Sequence, residues 1–544
     1  MPGRKLRETM LQKLEAAPFD ALVLGGGING AVSAAALAAR GARVALIDRG
    51  DFASATSQQS SNLAWGGIKY LETYELALVR KLCRARNELM RAYPATVQEI
   101  RFFTSVPRAF RHGRFKLLLG AWLYWVIGRF FTRRPRLLSR EQIEREEPIV
   151  EAAGLSGGFE YSDAFLHDND ARFVWGFVRS ALDRGCIAAN YVEALGATRA
   201  DGGWLTRARE RISGRELRIR SRLLINACGP WADAVNARDG VATAHHHVFS
   251  KGIHILVDRL TSNRRVLTFF ADDGRPFFVL PMGPKTCIGT TDTQVDRPEV
   301  AVTAEDRRFV LDNINKRLRL PRPLQEEDII AERCGVRPLA VEGAGSGGRD
   351  WMQLSRKHAI ETDAERGHLT IFGGKLTDCL NVGEEICREV RRLGALLPYP
   401  EKRWYGEPPA AVREEYFHQA RLMDLDSLTS KHSSEKLSTR LWRRYGAEAL
   451  PMLDAIRRDP LQAEVIIETS EYIRCELDEA MRREMVVKLE DFLRRRSKIA
   501  LVVRREDIWR AAGLREACRI FFGDEAEARI AEYFPEKAAE ARTA

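Results

Sequence analysis

Two kinds of apolar patterning divide the chain: short continuous runs closed by glycine, and longer stretches with helical spacing. Residues 20–50 read DALVLGGGINGAVSAAALAARGARVALIDRG. The run Ala21 to Leu24 predicts a buried parallel strand. The alanine-rich stretch from Gly30 to Arg40 predicts a helix, Gly41 is a natural stop, and ARVALID predicts a second strand closed by Asp48. LLINACGPW (223–231) predicts a further apolar strand ending in a small-residue turn, and FGGK before LTDCLNVGEEI predicts a Gly-Gly turn into a helix. From about residue 398 helix formers and charge dominate, with amphipathic spacing at Met485, Leu489, Phe492 and Leu493. PYPEKRWYGEPP, Pro398 to Pro409, marks the boundary before this helical region.

The first strand-helix-strand unit carries Gly25-x-Gly27-x-x-Gly30, with Ile28 and Asn29 between the last two glycines. Gly25 permits a tight turn, Gly27 lets backbone approach a pyrophosphate, and Gly30 lets helix and strand pack closely. The helix N-terminus then faces phosphate charge. Asp48, 18 residues beyond Gly30, is placed to accept from ribose hydroxyls. The unit predicts dinucleotide binding without separating FAD from NAD; its place near the start of a long chain leans towards FAD. With one such fingerprint, already needed for FAD, NAD-dependent catalysis is disfavoured.

At 544 residues the chain is long enough for three or four units at about 100 to 200 residues each. A composition of 45% hydrophobic and 30% charged residues is that of a folded protein and excludes a disordered one. The net charge of +11 favours anionic partners. The nine cysteines are scattered, without a C-x-x-C pair, so neither a disulfide framework nor a metal site is expected. The first twenty residues lack the apolar core of a secretory signal, and export is not expected.

The stretch DFASATSQQSSNLAWGGIKYLETYELALVRK (51–81) resembles the corresponding segment of flavin-dependent glycerol-3-phosphate dehydrogenases. Matching stretches follow in the same order: GFEYSDAFLHDNDAR, LLINACGPWAD, KGIHILV, FVLPMGPKTCIGTTDT, CGVRPL, LSRKHAI, IFGGKLTD and, near the end, MRREMVVKLEDFLRRR. The resemblance covers about residues 20 to 500. It implies an α/β fold: an FAD-binding Rossmann-like domain of the glutathione-reductase/D-amino-acid-oxidase type, an antiparallel-sheet substrate domain and an all-helical C-terminal domain. The FAD-dependent region is expected over 18–397, with cofactor segments at about 18–78, 155–250 and 350–397 and cap segments at about 79–154 and 251–349; the helical domain is expected over 398–544. The implied activity is oxidation of sn-glycerol 3-phosphate to dihydroxyacetone phosphate, with hydride transfer to FAD and electrons passed to a quinone at the inner face of the cytoplasmic membrane.

Read on their own, Ser54, Thr56, Ser57, Ser60 and Ser61 form a hydroxyl-rich loop suited either to a phosphate or flavin edge or to a solvated turn. The resemblance places Thr56, Ser57, Ser61, Gly66, Gly67, Ala227, Gly229, Gly373, Gly374, Lys375, Leu376 and Thr377 at the cofactor. It carries Arg337 and Lys375 to the substrate as catalytic groups, with Lys69, Tyr70 and Arg356 binding substrate. Arg337 offers fixed, permanently charged donors to the oxygen at the reacting carbon. Lys375 would bind phosphate or, if desolvated, transfer a proton. His254 is a further candidate base, although a histidine flanked by apolar residues is more often structural.

The family's lysine, histidine and arginine in this loop are replaced by Asn62, Trp65 and Lys69, and Asp378 stands where threonine is usual. These departures leave open another small anionic hydroxy acid or amine as substrate, and a flavin-binding interaction module without turnover. The uncharged run LLLGAWLYWVIG (117–128) is short of the roughly 20 residues that span a bilayer. With basic flanks and Trp122, Tyr124 and Trp125, it suits shallow insertion into an anionic membrane surface through about 114–136, or else a buried helix with solvated basic ends. Arg494, Arg495 and Arg496 read as a solvated helix face, and nucleic acid is not expected as a partner. A homodimer is among the arrangements the sequence allows.

Overall fold

The computed structural model describes residues 2–110, 113–272, 274–343 and 357–537, with side chains from residue 6 onward. Two sheets form the region before the helical end of the chain. The first has the order His358–Asp363, His368–Gly373, Glu216–Asn226, Phe19–Leu24, Val44–Ile47, Ile187–Ala189. Pairing is parallel from His368–Gly373 through to Ile187–Ala189. Continuous apolar runs serve here because Phe19–Leu24 and Val44–Ile47 are covered on both faces. The Ile28–Ala39 helix packs between Asp170–Leu182 and Cys379–Arg392, and its buried alanines keep those approaches close. An edge hairpin, Val192–Ala200 with Gly203–Glu210, completes the sheet.

The second sheet is built on two long antiparallel pairs: Val97–Pro107 with Leu155–Leu166, and His245–Asp258 with Ala331–Glu342. Val266–Phe270, Pro276–Met282 and Lys285–Gly289 connect them, with one parallel contact between Val266–Phe270 and Val97–Pro107. The strand Leu155–Leu166, expected within the cofactor segment 155–250, therefore belongs to this sheet. Its local sequence, which mixes Glu160, Ser162 and Asp163 with apolar residues, does not say which sheet it joins. Leu63–Ala64 pairs with the same strand, so the loop leaving the first sheet runs directly onto the second.

From Ala410 the regular elements are all helices. Arg494 to Arg496 correct the expectation of a solvated face. They lie in a wide π-helical turn, Asp491–Arg496, and all three are buried. Arg495 and Arg496 donate to Asp51 at 2.7 to 2.9 Å, and Arg495 also donates to Asp491 at 2.6 Å. Arg496 stacks over Trp175, 4.2 Å from the ring centre. Triple arginine reads as exposed only while its acid, Asp51, lies far away in the chain. A second joint sets Asp168 against Arg443 and Arg444 at 2.7 and 2.6 Å. The helical region is thus fastened by buried charge to the loop after Val44–Ile47 and to the turn after Leu155–Leu166.

Candidate active site

The glycine turn lies where the Phe19–Leu24 strand enters the Ile28–Ala39 helix. A side chain at Gly30 would place its Cβ 1.8 Å from the Gly25 carbonyl oxygen, so close packing selects glycine there. No side chain caps the helix at Gly27, and Ser57 accepts from the Ile28 amide at 3.0 Å. Asp48 accepts from the amides of Gly26 and Gly50 at 2.6 and 2.8 Å, which orients its carboxylate at the end of its strand. Burial pushes its pKa above the usual carboxylate range despite those two amides.

Distant segments close around this turn. Asn29 donates to the Gly373 carbonyl at 3.0 Å, while its own Oδ1 is buried without a hydrogen-bond partner among the described residues. His247 holds the turn from the other side: its Nε2 accepts from the Gly373 amide at 3.1 Å, and its Nδ1 lies 2.7 Å from Asp233. Thr56 donates to the Val336 carbonyl at 2.9 Å, tying the hydroxyl-rich loop to the strand of Arg337. Ala227 abuts Gly25, Gly229 opens the turn after Glu216–Asn226, and Leu376 and Thr377 lead into the Cys379–Arg392 helix. Thr377 donates to the Trp65 carbonyl at 3.2 Å. Ser61 is half-buried in the same loop. A helix N-terminus without a capping side chain at Gly27, a strand-end carboxylate and the buried amide oxygen Asn29 Oδ1 suit a dinucleotide such as FAD.

The paired strands His245–Asp258 and Ala331–Glu342 present Ser250, Gly252 and His254 opposite Arg337, Gly335 and Arg333. Arg337 lies across Gly252, where a Cβ would come within 2.2 Å of its Nη2. Its guanidinium donates to Thr290 Oγ1 at 2.7 Å and to Asp292 at 3.1 Å. His254 is buried, and neither ring nitrogen has a hydrogen-bond partner among the described residues. Burial first, then the charges of Arg333 and Arg337, hold its proton affinity well below that of ordinary histidine. The imidazole is therefore neutral.

Trp65 and Tyr70 bring the opposite wall. The Lys375 ammonium lies 4.2 Å from the Tyr70 ring centre and 5.9 Å from that of Trp65. Lys69 lies 5.6 Å from the Tyr70 ring. Trp65 meets Phe278 edge-on at 6.5 Å, and Phe278 pairs with Gly289, the residue that pairs with His254. Gly66 and Gly67 are buried, and the Gly66 amide donates to Asp163, which also accepts from the Tyr124 hydroxyl at 2.6 Å. Arg356 lies outside the described residues.

Two features escaped the sequence reading. Arg333 is fully buried and donates to Asn62 at 2.8 Å, with Nε and Nη2 left without hydrogen-bond partners among the described residues. The cation replaced at position 62 thus has a guanidinium beside it, and period-two counting back from Arg337 would have placed Arg333 on the same face. Asp378 pairs with His358 at 2.7 Å, and His358 also meets Glu385 at 3.0 Å. Burial opposes protonation of His358, yet these carboxylates raise its proton affinity.

Residues 20–378 match the family described as FAD dependent oxidoreductase, and residues 334–512 match the C-terminal domain of alpha-glycerophosphate oxidase. A relative from Staphylococcus saprophyticus, named aerobic glycerol-3-phosphate dehydrogenase, is 30% identical over 70% of this chain and 68% of its own. A relative of the same name from Staphylococcus epidermidis is 27% identical over 90% of this chain and 88% of its own. Among solved structures, the glycerol-3-phosphate dehydrogenase from Bacillus halodurans complexed with FAD superposes with a TM-score of 0.74 at 24% identity, covering 98% of both chains. The L-alpha-glycerophosphate oxidase from Mycoplasma pneumoniae with FAD bound gives 0.53 at 17% identity, covering 72% of this chain and 99% of its own.

Proposed function

Because this chain belongs to the FAD-dependent oxidoreductases, in the branch of the aerobic glycerol-3-phosphate dehydrogenases, we propose that it oxidises sn-glycerol 3-phosphate to dihydroxyacetone phosphate. What supports this reading is that one strand pair carries Arg337 and a buried His254, and that Trp65, beside the Lys375 ammonium, meets Phe278 next to that pair. When bound, FAD supplies the acceptor for the hydride of the carbinol carbon and passes the electrons on, in this reading to a quinone.

The protein's own groups would divide the remaining work. Gly25, Gly27, Ile28, Asn29 and Gly30 hold the pyrophosphate side of FAD with Asp48 at its ribose. Thr56, Ser57, Ser61, Gly66, Gly67, Ala227, Gly229, Gly373, Gly374, Lys375, Leu376 and Thr377 complete the cradle. Arg337 orients the reacting oxygen through charged donors that Thr290 and Asp292 keep in place. His254, uncharged where ordinary histidines are half protonated, takes the hydroxyl proton at a ring nitrogen. Lys375, Lys69 and Tyr70, with Arg356, bind the phosphate. Turnover with an artificial acceptor tests this: sn-glycerol 3-phosphate should support it, and glycerol and glycine should not. Turnover with glycine alone would overturn it.

Trp65 favours a second reading, in which the substrate is another small anionic hydroxy acid or amine, because its indole stands beside Lys375 where the resembling enzymes have a histidine. The same substrate panel separates the two. Absence of turnover with every substrate, in a protein that binds flavin, would instead identify an interaction module.

We also assign contact with the inner face of the cytoplasmic membrane to the Arg114–Ile127 helix. Its Ala121 and Tyr124 are buried against the body of the protein, while Phe115, Leu119, Trp122, Leu123 and Val126 form an exposed apolar row. No helix among the described residues is long and apolar enough to cross a membrane, so contact would be peripheral.

A further inference from the structure

Beside the exposed apolar row lies a groove of about 760 Å³ between the Leu76–Ala92 and Cys379–Arg392 helices. Arg80, Arg84 and Arg91 follow one another at helical spacing on its outer wall, and Arg129 enters from the end of the apolar helix. The acids in the groove are already engaged. Glu384 accepts from Arg40 at 2.8 Å and from Trp404 at 2.7 Å, and Glu88 meets Arg403 at 3.4 Å and Tyr405 at 3.3 Å. Lys81 lies 3.3 Å from Asp378.

Arg80, Arg84 and Arg129, by contrast, make no ion pair with any described residue. They repel one another: the Arg84 guanidinium is easier to deprotonate than usual because of Arg80 and then Arg129. A fold gains nothing from gathering these charges, and an anion in the groove would relieve them. The neighbouring residues narrow the choice of anion. Arg129 and Phe130 are consecutive left-handed residues, with φ of +58° each, and Phe130 is 59% exposed. This turn sets a cation of the groove directly beside an exposed ring that extends the apolar row.

We propose that the groove binds the phosphate headgroup of an anionic phospholipid while the apolar row enters the acyl region. The proposal rests on the membrane contact assigned above and adds a specific headgroup site to it. Each arginine near an anionic surface contributes roughly a fivefold gain in binding, so Arg84→Gln with Arg129→Gln should weaken binding to anionic vesicles by about twentyfold or more.

Flotation of the full-length FAD-loaded protein with vesicles of phosphatidylcholine alone, or with added phosphatidylglycerol, tests this. The double arginine variant should lose its preference for phosphatidylglycerol while keeping its binding to phosphatidylcholine and its turnover with a soluble acceptor. Leu119→Ser with Trp122→Ser should weaken binding to both vesicle types alike. An unchanged phosphatidylglycerol preference in the arginine variant overturns the headgroup site alone. If the apolar variant binds both vesicle types as well as the original protein, the helix contact fails and the proposal with it. Competition by inorganic phosphate that removes the preference would identify a free-phosphate site and overturn the lipid assignment.

Discussion

At the joint between the first sheet and the helical region, Asp51 accepts from Asn190, Arg495 and Arg496, and Asp491 accepts from Arg495 and Tyr191. On the second sheet, His254 and Arg333 are buried as deeply, yet both His254 nitrogens and two Arg333 nitrogens lack hydrogen-bond partners among the described residues. Burial costs polar groups free energy in both places, and only at the joint is that cost offset within the protein. At the joint Asp51 and Asp491 tie the two regions together. On the sheet face the cost is not offset, and it is to that face that the proposed chemistry is assigned.

The largest effect should come from breaking the joint. Asp51→Ala leaves Arg495 and Arg496 buried beside an acid that cannot serve both, and should cost about 3 to 5 kcal/mol in denaturant unfolding. An effect below about 1 kcal/mol would mean that water reaches the arginines and that the contrast with the sheet face is false. Next comes His254→Asn, which should lower kcat/KM by about a hundredfold or more with little loss of stability. In the original protein the acid limb of kcat/KM should lie well below the usual histidine range, since burial and two arginines keep His254 neutral. A limb near neutrality would assign the proton transfer to another group.

The smallest effect concerns His358, a buried group whose partners are present. Its proton affinity is raised, so its contribution is full below the unfolded value of about 6.5 and is lost as pH rises through the folded value. His358→Gln should remove a stability difference on the order of 1 kcal/mol between mildly acidic and alkaline solution. If the pH dependence of unfolding is the same in both proteins, His358 does not titrate as argued.

The glycine turn, its flanking strands and the switch to helices after Pro398–Pro409 were readable because each is written in contiguous residues. What escaped reading depends on partners far apart in the chain. Arg495 and Arg496 look like surface charge until Asp51 is placed against them, and Asn62 looks like a lost cation until Arg333 is found beside it. The strand Leu155–Leu166 was not read as one from its mixed sequence, and its sheet was chosen by pairing with Val97–Pro107, which no local pattern encodes. The uncharged run at 117–128 fitted two readings; packing decides between its faces, because Tyr124 turns inward to Asp163 while Trp122 stays exposed.

The most direct test is anaerobic mixing of the FAD-loaded protein with sn-glycerol 3-phosphate while following the oxidised flavin band near about 450 nm. Rapid bleaching that is lost in Arg337→Ala, with flavin still bound, is the predicted result. Flavin that stays oxidised with this substrate but bleaches with another alcohol or an amine would contradict the account and move attention to Trp65.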